Sequence, residues 1–325
     1  MFKRIGLFLV LNFVVLITIS VLVRLLGVDR WLTANGIDYA QLMAFSAVCG
    51  FTGSFISLMM SKSIAKMTTG ASVISSPRNE AEAWLLSTVR DLSDRAGLKM
   101  PEVAIYEGTP NAFATGAFKD DALVAVSTGL MQGMTRPQIR SVLAHEVSHI
   151  RNGDMVTMTL LQGVLNTFVF FFARVAALFL QNRGSSDGER RIGGFSYYVV
   201  VPVFEILFGI LASILSCAFS RHREYRADAG AAELTGRPED MIDALRALGR
   251  MESEPLPSEM KAFGITDLPS FSELFSTHPP LSSRIEALSG LSSGKTESSV
   301  ERGERRRSTG GLFGEVNSDD HSPWS

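Results

Sequence analysis

Residues 144–154 read Ala144-His145-Glu146-Val147-Ser148-His149-Ile150-Arg151-Asn152-Gly153-Asp154. Just upstream, Thr135-Arg136-Pro137-Gln138 marks a helix start: Thr at the N-cap, Pro in the first turn and Gln at the third helical position. The spacing predicts a helix from about Arg136 to Arg151. On it His145 and His149 lie four residues apart, so both imidazoles face one point, the arrangement two ligands of a single metal ion need. Glu146 sits beside them, placed to take a proton from an attacking water. Ile139, Val142, Leu143 and Ile150 give the helix a separate apolar face. A chain of this composition carries the five-residue pattern by chance in roughly one case in two hundred. The bland alternative is a pair of surface histidines on a helix.

Outward from the motif the chain turns apolar. Of 325 residues 46% are hydrophobic, and mean hydropathy is positive. Four runs approach the ~20 residues a bilayer crossing needs: Ile5–Val23, then roughly Ala40–Met60, Val156–Leu180 and Phe195–Phe219. No small-x-small cleavage pattern follows the first, which reads as an uncleaved anchor. The runs pair into two hairpins. Lys3, Arg4, Lys62, Lys66, Arg221, Arg223 and Arg226 all fall on one side of such a model, against Arg24, Arg30, Arg183, Arg190 and Arg191 on the other. That modest bias places the catalytic segments in the cytoplasm. Arg174 and Glu205 sit at similar depth in the second hairpin; the readings are an ion pair or a substrate path. A net charge of −2 gives no argument for nucleic acid. Cys49 and Cys217 lie in apolar stretches and read as packed free thiols.

Between the hairpins, Ala81, Trp84, Leu85, Val89, Leu92 and Ala96 predict an amphipathic helix over 78–98. Glu102–Tyr106, Asn111–Phe118 and Ala122–Ser127 predict three strands.

A catalytic metal needs a third protein ligand. Glu224 is the favoured candidate, in Arg223-Glu224-Tyr225-Arg226-Ala227-Asp228 just after the last span. Asp228, one turn later, is placed to accept from the far nitrogen of a metal-bound histidine. His222 is the rival ligand, and a charged face with local Arg pairing is the bland reading. Two spans separate the His motif from Glu224, so both emerge on the same membrane face. The expected division is 1–60, a transmembrane hairpin; 61–155, a first cytoplasmic catalytic part; 156–219, a second hairpin; 220–290, a second catalytic part; and 291–325, a disordered tail.

With these residues in view, the chain resembles the HtpX-type membrane zinc metalloproteases, relatives of the CAAX prenyl endopeptidases. The likeness runs through Asn111-Ala112-Phe113-Ala114-Thr115-Gly116, residues 144–154, Arg223–Asp228 and His278-Pro279-Pro280 with Arg284. The resemblance implies an α+β membrane protein: a gluzincin-like zinc metalloprotease domain, mainly helical with a small β-sheet, plus four transmembrane helices in two hairpins. It implies one Zn2+ per chain, and a bacterial inner-membrane endopeptidase acting on misfolded or damaged membrane proteins or unfolded polypeptides in quality control and stress response. It further implies that Asn111, Ala112, Phe113, Ala114 and Thr115 form an edge strand pairing with substrate, against an ordinary hairpin strand. His278 and Arg284 are implied as stabilisers of the reacting oxyanion, against a plain helix start. Four spans argue against the chambered CAAX branch. A membrane adaptor with a structural metal is the non-enzymatic reading, and Glu146 discriminates, since a structural site has no need of it.

Overall fold

The computed structural model describes residues 38–183, 194–252, 276 and 278–291. The expected first span, Ile5–Val23, and the tail from residue 292 onward lie outside them. In chain order the elements are α1 (Tyr39–Thr69), β1 (Ser72–Val73), α2 (Glu80–Ala96), β2 (Glu102–Tyr106), β3 (Ala112–Phe118), β4 (Asp121–Ser127), α3 (Thr128–Gly133), α4 (Arg136–Asn152), α5 (Asp154–Arg183), α6 (Gly194–Thr235), α7 (Pro238–Glu252) and α8 (281–291).

Among the described residues three helices, α1, α5 and α6, are long and apolar enough to cross a membrane. α5 packs between the other two. Exposed Ile206, Leu207, Ile210, Leu211 and Leu215 give α6 a wide apolar outer surface, as a lipid-facing helix requires. Within the bundle, Asn166 Nδ2 donates to Ser54 Oγ at 3.3 Å, a polar link between α5 and α1. Arg174 Nη1 lies 3.0 Å from Glu205 Oε1, so the two charges expected at one depth are paired. The same guanidinium also caps the faces of Phe45 and Phe170.

The four-stranded sheet has the order β1-β2-β4-β3. β2 and β4 are parallel, and the outer pairs are antiparallel. β4 is central and buried on both faces. One face, through Val103, Val124 and Val126, meets Leu85, Val89 and Leu92 of α2 and Val142, Leu143 and Val147 of α4. Each such fully buried side chain stabilises the fold by about 1.5–3 kcal/mol relative to its exposed state. β3 lies at the sheet's edge and packs against α4.

Two expected boundaries move. α1 runs on past Met60 to Thr69, because Lys62 and Lys66 are anchored on the sheet: Lys62 Nζ meets Glu102 at 2.8 Å and also Asp121, and Lys66 Nζ meets Glu102. α6 runs unbroken from the apolar segment to Thr235, so the expected division at 219/220 falls inside one helix. Strand β1 and helix α7 were not anticipated.

Candidate metal centre

The site is assembled where α4 and α6 cross. α4 starts as the sequence predicts, with the Thr135 N–H donating to Gln138 Oε1 at 2.9 Å. It stops at Gly153, whose φ of 68° is the left-handed cap conformation that glycine adopts without strain. α6 comes close to α4 because Gly230 has no side chain: a Cβ there would lie 2.6 Å from Ser148 Oγ. That close approach carries Glu224, six residues earlier on α6, to the histidine face of α4.

His145, His149 and Glu224 converge, with one donor atom from each lying within 4.8 Å of the others. The two Nε2 atoms are 3.1 Å apart. Glu224 Oε1 lies 3.3 Å from His149 Nε2, and Oε2 lies 3.5 Å from His145 Nε2. His145 and Glu224 are buried, while Glu146 and His149 are half-buried. His222, the rival ligand, is exposed and outside this cluster.

Each ring is backed by a carboxylate. Asp228 Oδ1 lies 2.9 Å from His145 Nδ1, an oblique approach. Asp154 Oδ2 lies 2.7 Å from His149 Nδ1. Asp228 was anticipated from its spacing; the contact of Asp154 was not. Asp154 stands five residues after His149, beyond the reach of a continuing helical face, and only the reversal at Gly153 brings it back. The Asn-Gly-Asp that closes the quoted stretch is the signal that could have found it, since Asn-Gly marks a turn.

The charges explain the histidines' titration. For His149 burial opposes the charged ring, but hydrogen bonds to Asp154 and Glu224 more than offset it and push the pKa up to about 10. His145 is raised for the same reason: burial opposes its charge, and Asp228 and Glu224 outweigh it.

The other expected residues fall in two groups. His278 Nδ1 lies 2.7 Å from Glu224 Oε2, with the side chain 63% exposed. Arg284 is buried and grips Asp228 with both arms, Nε to Oδ2 at 2.8 Å and Nη2 to Oδ1 at 2.6 Å. Its fork geometry matches a carboxylate, and two of its donating nitrogens are committed to Asp228. The third guanidinium nitrogen of Arg284, Nη1, lies 3.8 Å from Glu224 Oε2, on the side of the donor cluster. Of the edge-strand residues, Ala112, Phe113, Ala114 and Thr115 lie in β3 and pair with β4 on its inner side. Asn111 just precedes the strand, its N–H donating to Ser127 Oγ at 2.9 Å.

The donor chemistry fits a divalent cation. Around the donors stand four carboxylates (Glu146, Asp154, Glu224, Asp228) and two guanidiniums (Arg223, Arg284), with Arg223 bound to the Asp154 carbonyl. With neutral histidines, two negative charges remain, the number such an ion neutralises.

Residues 79–292 match the model of peptidase family M48. The chain is 58% identical over 287 residues to a protease HtpX homolog of Prosthecochloris aestuarii, covering 88% of this chain and 98% of that one. It is 54% identical over 289 residues to a protease HtpX homolog of Janthinobacterium sp. (strain Marseille), covering 89% and 99%. The crystal structure of S. mikatae Ste24p shares the fold, with a TM-score of 0.56 at 18% identity, over 86% of this chain and 66% of that one, just under two thirds. Family model, relatives and converging donor set agree: the chain belongs to peptidase family M48 and is an HtpX-type metalloendopeptidase.

Proposed function

We propose that this protein is a zinc-dependent endopeptidase of the bacterial inner membrane that cleaves misfolded or damaged membrane proteins at the cytoplasmic face, in quality control and stress response. The observation that carries the reading is the convergence of His145, His149 and Glu224 at the foot of an apolar helical hairpin, with Glu146 on the same helix turn. The three donors would hold one zinc ion, which, when bound, lowers the pKa of water towards 7 and polarises a carbonyl. Glu146 takes the attacking water's proton and delivers it to the leaving amine. Asp154 and Asp228 fix the orientation and tautomer of the two rings. Arg284 holds Asp228 in turn and turns Nη1 towards Glu224, 3.8 Å from Oε2, to serve the developing oxyanion. His278, exposed beside Glu224, donates to the developing oxyanion. β3 pairs with extended substrate through its outer edge, and because backbone hydrogen bonds read no sequence this suits a broad endopeptidase. The division into hairpin, catalytic part, hairpin and second catalytic part is retained on this reading, with α6 as one rod through both environments.

Purified full-length protein in detergent should cleave an unfolded membrane-protein substrate, lose the activity to a chelator and regain it with zinc. Cleavage that persists in chelator would sink the reading. Reporter fusions near Pro101 should report a cytoplasmic location, and an external signal there would reverse the orientation.

A raised His149 pKa has a measurable consequence. In the metal-free protein the ring is protonated at neutral pH, so its contribution to stability is full below about 6.5, the unfolded value, and fades as pH rises towards about 10. Zinc requires the neutral ring, so binding must release protons, and apparent affinity should climb with pH by up to about tenfold per unit for each proton released. Calorimetric titration with zinc at pH 7.5, in buffers of different ionisation enthalpy, counts those protons. A count near zero would show that the rings are already neutral.

A further inference from the structure

Arg223 has no role in the chemistry just described, yet it touches the site. It precedes Glu224 on α6 and is half-buried. Its Nη1 donates to the backbone carbonyl of Asp154 at 3.0 Å, and its Nη2 to Ser220 Oγ at 3.3 Å. Its Nε is buried with no hydrogen-bond partner. Burying a guanidinium with one N–H unanswered opposes folding, so the contacts it does make must offset that cost.

What those contacts hold is the start of α5. Asp154 is the first residue of that helix, and its carboxylate takes the His149 Nδ1 contact at 2.7 Å. Between α4 and α5 stands the single residue Gly153, with φ 68°. The Asp154 carboxylate is therefore placed by where α5 begins, and Arg223 fastens that beginning to the turn of α6 that carries Glu224. One half-buried cation thus links α6, which presents Glu224, to the first turn of α5, whose Asp154 carboxylate backs His149.

We infer that Arg223 is a positioning residue of the metal centre: it pins the first turn of α5 to α6 and thereby sets the carboxylate that orients His149. The inference rests on His149 binding the metal, as proposed above. A histidine ligand whose second nitrogen donates to a fixed carboxylate is held in one tautomer and one orientation, and losing such a partner lowers metal affinity about 10–100-fold. Arg223 acts one step further out, through Asp154. Its effect on zinc should therefore vanish when the Asp154 carboxylate is gone.

The test uses the zinc-loaded full chain in detergent and compares Arg223→Gln, Asp154→Ala and the double variant. Zinc release to a chromogenic chelator and the melting temperature of the metal-free protein are read for each. The expected result is release about tenfold faster or more in each single variant, with the double variant no faster than Asp154→Ala. Release from Arg223→Gln at the wild-type rate overturns the inference. So does a double variant whose acceleration is the product of the two single ones, because Arg223 would then act independently of Asp154. If Arg223→Gln does not fold, Arg223→Lys in the wild-type and Asp154→Ala backgrounds reads the same coupling. Wild type and His149→Ala are the controls. If His149→Ala keeps its zinc, the proposed site falls and takes the inference with it. If the controls behave and Arg223 shows no coupling, the inference alone falls.

Discussion

Glu146→Gln is expected to lower the turnover of a membrane-protein substrate by about 10²–10⁴-fold, the range a general base contributes, while leaving zinc bound. The substitution keeps the shape and hydrogen-bonding reach of the side chain but removes its ability to accept a proton near neutral pH. Glu146 is half-buried and is absent from the converging donor set. Its loss therefore takes no donor from the metal. It does remove one of the four carboxylates, and its charge favours the protonated His149 ring. A modest weakening of zinc binding is consistent with that; release of the metal is not. Turnover and zinc content measured on the same preparation separate the possibilities. Unchanged turnover would remove Glu146 from the mechanism, and turnover lost together with zinc would make it a ligand or a structural residue. The adaptor reading makes the opposite forecast, since a structural metal is indifferent to Glu146→Gln.

Much of this site was legible because it depends on local rules. Thr135, Gln138 and Gly153 mark the ends of α4, and a four-residue spacing on a helix leaves His145 and His149 one geometry. The three strands were legible from their composition, with boundaries off by one residue at Asn111 and Ala122. Glu224 followed from counting apolar runs, which says on which side a segment emerges. Hydropathy, however, reports where apolar residues stop and not where a helix stops. Ser220 to Asp228 is polar yet rich in residues with good helix propensity, so α6 continues through it. Asp154 and the grip of Arg284 were harder to read, for a different reason. Asp154 comes back to His149 only through the left-handed turn at Gly153. Arg284 grips Asp228 across 56 residues, a tertiary contact that no periodicity encodes. Its arginine fork reads as an oxyanion donor from the sequence, and spacing gives no sign of the carboxylate it also holds.

The proposed third ligand gives the second large effect. Glu224→Gln is expected to release the metal, and His222→Ala to keep it. Glu224 is buried, and its two oxygens approach both histidine Nε2 atoms and His278. An amide in its place presents a neutral oxygen and a competing NH2 donor to a cation, and it leaves the cluster one negative charge short. Losing a ligand should cost more than losing a group behind one, so zinc affinity should fall by well over the ~10–100-fold typical of outer partners. Gln is the better probe than Ala, because Ala would open a void and strip His145, His149 and His278 of a shared acceptor, mixing instability with metal loss. His222, two residues earlier, projects from another side of α6 into solvent, so its removal should alter neither metal content nor turnover. Zinc per chain after dialysis against a weak chelator, measured alongside melting temperature, is the deciding quantity. A Glu224→Gln protein that melts like wild type and has lost its zinc fixes the ligand set as two imidazoles and one carboxylate. Retention by Glu224→Gln together with loss in His222→Ala would exchange the two assignments, and α6 would then have to turn by about half a circle to present His222 to α4.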